Sequence, residues 1–379
     1  MNKYDLTIVL PVLNEVQTLQ LCLDEINNTL NNLDIKYHII VSDNGSDDGS
    51  IGIATDSENT TLLHVEQKGY GSALKAGIDA ANSKYIVFAD ADYTYPFSLL
   101  KTLYQRITNS NADMIIASRF KGDIEDGAMP FLHRYLGTPV LTKSINILYG
   151  ANYSDCNSGY RIFKKSAYDE WNMSSSGMEF ASEMLIKAVK AKHTIIEIEG
   201  GLRKDIRIDR VPHLKTWRDG MRHLLYIFSQ SPRFFEKTGI FLFIISAIFS
   251  FSSTGDGFLL FNKIGIFGLH SQIIFASLMI IGVELYTTSF VLFLNSKDKY
   301  SSIWTKKLLE IRDDYLFFSL VIVISCMLLG FILFLEYWIE HQMQSINLHT
   351  EVLFIASLLL SSYILISNLL KFHLLKRVL

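Results

Sequence analysis

Tyr85-Ile86-Val87-Phe88-Ala89-Asp90-Ala91-Asp92 is an apolar, β-branched and aromatic run that ends on two carboxylates. Apolar residues without polar alternation predict a strand buried on both faces, as in a parallel sheet. Working outward, Leu6-Thr7-Ile8-Val9-Leu10 is a second such run, stopping at Pro11. Tyr37-His38-Ile39-Ile40-Val41 is a third, ending in the turn cluster Ser42-Asp43-Asn44-Gly45-Ser46-Asp47-Asp48-Gly49. Toward the C-terminus, Met114-Ile115-Ile116-Ala117 and Thr194-Ile195-Ile196-Glu197-Ile198 read as strands as well. Residues 16–31, 71–81, 97–109 and 178–192 read as helices, the first through Leu19, Leu23, Ile26 and Leu30. Strands alternating with helices predict an α/β domain with a mostly parallel sheet and right-handed crossovers. Such sheets bind ligands beyond the carboxyl ends of their strands, where the polar clusters 42–49 and 90–94 both fall.

The whole-chain average hides a division. The chain has 379 residues, 49% of them hydrophobic, and a mean hydropathy of +0.22. The first part has the mixed composition of a soluble domain, whereas Phe, Leu, Ile and Ser dominate after about residue 237. Apolar stretches at about 236–254, 272–294, 316–338 and 351–370 each approach the roughly 20 residues that cross a bilayer, the first cut short by Ser252-Ser253-Thr254-Gly255. Just before them, residues 214–229 place Leu214, Trp217, Met221, Leu224, Leu225 and Phe228 at helical spacing around Arg218 and Arg222. That pattern predicts an amphipathic helix at a membrane interface, with a core-facing helix as the alternative. The expected organisation is therefore a domain over 1–212, a juxtamembrane helix over 213–235 and a transmembrane region over 236–379. Lys and Arg gather in 295–315 and in the C-terminal tail, whereas the other two connections hold only Lys263. The positive-inside rule then places the N-terminal domain, the middle connection and the C-terminus in the cytosol, on a bacterial- or archaeal-type plasma membrane. The polar start, with no secretory apolar segment, predicts the same side. Cys22, Cys156 and Cys326 lack metal or disulfide spacing and fit a reducing compartment. A net charge of −3 singles out no nucleic-acid partner; a homo-oligomer is left open.

Asp90 and Asp92, one residue apart at a strand end, are candidate oxygen ligands for Mg²⁺ or Mn²⁺ shared with substrate phosphates. The bland reading is a solvated turn; the buried strand before them favours function. Asp43 at the next strand end suits a base or ribose, while Asp47 suits a helix cap. Lys68-Gly69-Tyr70-Gly71-Ser72-Ala73-Leu74-Lys75-Ala76-Gly77 departs from the dinucleotide fingerprint but places glycines, Gly71 among them, ahead of a helix where a phosphate or ribose can approach.

Read in order, Pro11-Val12-Leu13-Asn14-Glu15, the Asp43 cluster, Lys68 to Gly77 and Asp90-Ala91-Asp92 resemble the family-two glycosyltransferases of GT-A fold. The resemblance continues through Ala117-Ser118-Arg119-Phe120, Asn157-Ser158-Gly159-Tyr160-Arg161 and Gly177-Met178-Glu179-Phe180-Ala181-Ser182-Glu183, and so spans roughly residues 5–230. Within that family the pattern is most similar to the polyprenyl-phosphate mannose and glucose synthases. The resemblance implies that Pro11, Glu15, Asp43, Lys68 and Gly71 hold the nucleotide-sugar and that Asp90 and Asp92 hold nucleotide and metal. It implies that Arg119 and Arg134 contact an acceptor phosphate. Arg203, Lys204 and Arg207, with Arg210, fall in a basic loop over the phosphates, and Asp155 and Glu179 line the sugar or acceptor pocket. Where dolichol-phosphate mannose synthases carry a Gln two residues after the second Asp, this chain has Thr94.

The resemblance implies inverting transfer of a hexose from a UDP- or GDP-sugar to a polyprenyl phosphate. A hydroxyl acceptor needs a general base, whereas a lipid phosphate is already ionised and needs cations instead. Transfer to a hydroxyl of a glycolipid or polysaccharide precursor is the alternative, with Asp155 or Glu179 as base. A non-catalytic membrane scaffold is the reading from another class. The Gln-x-x-Arg-Trp pattern of processive synthases is not in the sequence. Juxtamembrane attraction to anionic lipid explains Arg218, Arg222 and Arg233. Glu284, inside the second apolar stretch, reads either as a packing partner or as a contact on the lipid path. His193, His213 and His223 read as structural or interfacial.

Overall fold

The computed structural model describes residues 3–208, 216–252, 269–296, 303–340 and 350–378. They divide into two compact units, Met1–Phe228 and Ser229–Leu379. In the first, strands β1 (Tyr4–Val12), β2 (Tyr37–Asp43), β3 (Thr60–His64), β4 (Ser83–Phe88), β5 (Met114–Ser118), β6 (Arg161–Lys164) and β7 (Ile195–Glu199) make one sheet of order β3-β2-β1-β4-β6-β5-β7. Helices α1 (Leu19–Leu30), α2 (Ser50–Asp56), α3 (Tyr70–Ala80), α4 (Leu100–Thr108), α5 (Thr138–Tyr149), α6 (Lys165–Trp171), α7 (Phe180–Lys190) and α8 (Thr216–Ser229) complete it. Neighbouring strands run parallel except at β6, which is antiparallel to both β4 and β5.

The apolar runs bury on both faces, as strands covered by two helical layers must. Leu6, Ile8 and Leu10 point into one core with α1, while Val9, Ile86 and Phe88 point into the other with α3 and α7. The chain builds β1, β2 and β3 outward in one direction, then crosses to lay β4 on the other side of β1. This reversal opens a crevice beyond the carboxyl ends of β1 and β4.

Strand β1 runs on through Pro11 to Val12, past the expected stop. Val9 accepts from Ala89 on the β4 side and Val12 accepts from Asn44 on the β2 side. By alternation Pro11 faces the β4 side, where pairing has already ended at Val9 opposite Phe88, so its missing N–H costs no ladder bond. Strands β3 and β6 and helices α2, α5 and α6 were not among the expected elements.

Helix α8 packs one edge on the core of the first unit, as the core-facing reading expects. His223 and Ile227 are buried and Leu224 packs against the second core, while Met221 and Leu225 face outward. Leu214, Arg210 and His213 lie outside the described residues.

In the second unit, α9 (Pro232–Ser252), α10 (Leu269–Ser296), α12 (Asp313–Glu340) and α13 (Thr350–Val378) are long and apolar enough to cross a membrane, with short α11 (Ile303–Leu309) between α10 and α12. The tightest approach is between α9 and α10. A Cβ on Gly239 would stand 2.4 Å from the backbone N of Tyr286, and one on Gly282 2.7 Å from that of Phe243. Small residues at such crossings let backbones meet closely. Glu284 receives a weak bond from Asn368 Nδ2 at 3.4 Å, and Asn368 also donates to Thr287 at 2.9 Å. Asn368 belongs to α13, so Glu284 here is a helix-packing partner.

Candidate active site

The loop after β4 carries Asp90 and Asp92. Asp90 accepts from the hydroxyl of Tyr70 at 2.7 Å. Its other side faces Gly159, where any Cβ would lie 2.4 Å from Oδ2. Burial first, then the charge of Asp92, pushes the Asp90 carboxyl up to about 7, and the nearby Arg119 only partly offsets them. Asp92 Oδ1 accepts from both the backbone N and the hydroxyl of Thr94, at 3.1 and 2.6 Å. Thr94 therefore braces Asp92 and is turned toward it. Tyr93 between them has φ +62°, a left-handed conformation that is strained for an aromatic residue.

Two carboxylates at a strand end form a hard oxygen donor set, and the raised Asp90 shows a site short of positive charge. The residues present therefore fit a divalent cation. Among the described residues no group of three or more His, Cys, Asp or Glu gathers as a metal cluster, so remaining ligands would come from phosphate and water.

On the β1 side, Glu15 is buried, and burial raises its pKa although Arg207 opposes the shift. Arg207 Nη1 donates to both Glu15 oxygens at 2.6 Å, while its Nη2 reaches Asp205 at 2.7 Å and Asp92 at 3.3 Å. Arg203 forks onto Glu25 at 2.8 and 2.9 Å and lies over the Tyr93 ring. Arg203 and Arg207, two arginines of the basic loop expected over the phosphates, are thus engaged by carboxylates; Lys204 is exposed. The segment Gly201–Ile208 lies across the site, since Arg203 N also donates to Thr94 O and Ile208 N to Gln17.

At the end of β2, Asp43 accepts from Gly45 N and Ser46 N and pairs with His64 at 3.5 Å. Burial would raise its pKa, but the bonds from Ser46, Gly45 and His64 win and hold it below the usual range. The adjacent Asn44 had no signal of its own in the sequence. It donates to Val65 O and Gln67 O and accepts from Gly69 N, stitching β2 to the loop that carries Lys68. Lys68 Nζ in turn caps Asn44 O at 2.6 Å. Pro11, half-buried, is in register with Ser42 beside this loop. Gly71 has a packing reason: a Cβ there would lie 2.5 Å from Ser175 O. The structure thus gives it backbone neighbours where a ligand was expected.

Arg119 follows β5. Its Nε and Nη2 grip Asp155 at 2.7 and 2.8 Å, and its own backbone N donates to the same carboxylate. Asp155 is fully buried and so serves as the clamp of Arg119 more than as pocket lining. Glu197 holds the turn in place by accepting from Ser154 N and Asp155 N. Arg161, wholly buried, donates to the carbonyls of Cys156, Ser158 and Ala181. It fixes the turn that sets Gly159 beside Asp90, a role hidden in the sequence because a buried arginine without a carboxylate is rare. Glu179 precedes α7 and faces α8, where its charge acts on His223 and Tyr226. Arg134, in a π-turn over His133–Gly137, lies above the Tyr135 ring at 5.7 Å.

Residues 7–171 match the model of Glycosyl transferase family 2. Over that stretch the chain is similar to this family, and its mixed, mostly parallel sheet carries the carboxylate pair directly after β4. The low-salt glycan biosynthesis hexosyltransferase Agl6 of Haloferax volcanii is 33% identical over 254 residues, covering 64% of this chain and 58% of that protein. A dolichyl-phosphate hexose transferase of the same organism is 27% identical over 196 residues, covering 51% of this chain and 81% of that protein. Among solved structures, glucosyl-3-phosphoglycerate synthase from Mycobacterium tuberculosis with uridine diphosphate has 17% identity and a TM-score of 0.48, covering 60% of this chain and 80% of that one.

Proposed function

We propose that this protein is a hexosyltransferase that moves a hexose from a UDP- or GDP-sugar to a polyprenyl phosphate, with inversion, at the cytosolic face of a membrane. The observation that carries this reading is the pairing of opposite charges across the crevice. Asp90 and Asp92 stand at the end of β4, and a fixed guanidinium, Arg119, stands close enough that its charge is felt at Asp90. The naming of one relative as a dolichyl-phosphate hexose transferase supports the lipid acceptor.

Asp90 and Asp92 would hold Mg²⁺ or Mn²⁺, which when bound supplies positive charge to the departing diphosphate. Asp43 and Glu15, with Pro11 and Lys68, lie where the nucleoside end would rest. Arg119, held rigid by Asp155, presents positive charge to the acceptor phosphate and lowers the cost of bringing two anions together. One oxygen of that phosphate forms the new bond to C1 while the bond from C1 to the diphosphate oxygen breaks. No proton has to move. Of the two candidate bases of the hydroxyl-acceptor alternative, Asp155 has both oxygens engaged by Arg119, which leaves Glu179, beside α8, as its base.

The test is Arg119→Lys in the full chain. The point charge survives but the fork does not. The acceptor KM should rise at least about tenfold, roughly 1.4 kcal/mol, while the affinity for nucleoside diphosphate stays put. Equal loss of both, with the fold intact, would remove Arg119 from the acceptor side.

A further inference from the structure

Among the described non-glycine residues with positive φ, three are asparagines and one is a lysine; Tyr93 is the one aromatic. Asparagine visits the left-handed region readily and tyrosine does not. Something outside the residue must therefore hold Tyr93 there. Its position gives the conformation a use, because it stands between Asp92 and Thr94. With the chain reversed at Tyr93, Thr94 reaches back with both its backbone N and its hydroxyl to Asp92 Oδ1. Asp92 Oδ2 is left with the 3.3 Å contact from Arg207.

Two elements grip this turn. On one side is a single face of α1. Thr18, at the start of the helix, donates to Ala91 O at 2.8 Å, and Cys22, four residues on, donates to the same oxygen at 3.4 Å. Glu25, three residues further along that face, accepts from Ser98 N at 3.1 Å and from both Nη atoms of Arg203. On the other side is Arg203 itself. Its backbone N donates to Thr94 O at 2.8 Å, and its guanidinium carbon lies 4.8 Å from the centre of the Tyr93 ring. A solvent-exposed ion pair would hold little. Here the two side chains are only 29% and 17% exposed, the bond is a fork, and the cation rests on the ring it has to retain.

We propose that Arg203, fixed by Glu25, is a positioning residue that locks Tyr93 in the left-handed turn and so presets Asp92 for a divalent cation. The resemblance expects Arg203 over the phosphates; the fork to Glu25 turns it to the Asp92 loop instead. Without the lock Tyr93 relaxes to negative φ and the bonds from Thr94 to Asp92 open. Only the fraction of molecules still in the turn then binds the cation at full strength. The inference rests on the reading of Asp90 and Asp92 as cation ligands.

The test measures binding of Mn²⁺ alone to the full chain in detergent, read as loss of the free-ion electron paramagnetic resonance signal. Without nucleotide or lipid, a phosphate contact cannot contribute. Arg203→Gln and Glu25→Gln should each weaken Mn²⁺ binding at least about fivefold. Tyr93→Gly, which adopts positive φ freely, should stay within about threefold of the unsubstituted protein. In that background Arg203→Gln should become nearly silent, because the lock has nothing left to hold. An Arg203→Gln loss just as large in the Tyr93→Gly background would overturn the proposal, as would a larger loss from Tyr93→Gly alone. Full Mn²⁺ affinity in both Arg203→Gln and Glu25→Gln would overturn it too. Asp92→Asn tells the two readings apart. If it leaves Mn²⁺ binding intact, the cation site is misplaced and the lock falls with it. If it abolishes binding while the Arg203 and Glu25 variants bind normally, the cation site stands and the lock alone is wrong.

Discussion

Asp90 is where the geometry makes its sharpest demand. A carboxyl with a pKa raised to about 7 is neutral in the ligand-free protein below that value. The sign follows: the raised pKa stabilises the folded, ligand-free protein at low pH, and this contribution is lost as pH rises through about 7. Cation and proton compete for the same oxygens, so Mn²⁺-dependent binding of nucleoside diphosphate, read by calorimetry, should strengthen between about pH 6 and 8. Tyr70→Phe removes a bond to the charged form, worth about 1.5–3 kcal/mol, and should move that midpoint upward. An unmoved midpoint would mean that Tyr70 does not govern the titration. Arg161→Met strands three carbonyls and should destabilise the domain by about 3 kcal/mol or more, read as a lowered melting temperature. The paired aspartates were legible in the sequence because a buried strand announced them. Tyr70, Asn44 and Arg161 were not, since each acts on partners 20 or more residues away or, for Arg161, on backbone that offers no complementary charge.

Among the elements, the long apolar strands were readable because burial on both faces leaves a continuous signal. Strand β3 was not, because it is a half-exposed edge with two threonines. Strand β6 was not, because four residues opened by an arginine resemble a loop until Arg161 finds its carbonyls. The pairing of α9 with α10 offers a clean test at this scale. Gly282→Leu would drive a side chain into the α9 backbone and should abolish a cooperative melt in detergent or shift it strongly downward. Gly330→Ala on α12, where nothing lies within 4 Å of the added Cβ, should be neutral or stabilising by up to about 1 kcal/mol. Equal effects of the two would contradict the close crossing.

Across the whole molecule, composition changes near residue 237, and the structure divides the chain at 228/229, with nearly all of α8 in the first unit. The difference has a physical cause. A helix can bury one edge in a domain core while its other edge stays apolar, and periodicity alone does not say which neighbour each edge meets. The charges that hold the crevice together all belong to the first unit, while the second supplies helices of membrane-crossing length. The most direct test offers purified protein a polyprenyl phosphate, Mg²⁺ or Mn²⁺, and labelled nucleotide-sugars one at a time. The account predicts a labelled, chloroform-extractable lipid with one donor, lost in Asp92→Asn while the fold persists. Label appearing instead on a glycolipid hydroxyl, or lipid product undiminished in Asp92→Asn, would contradict it.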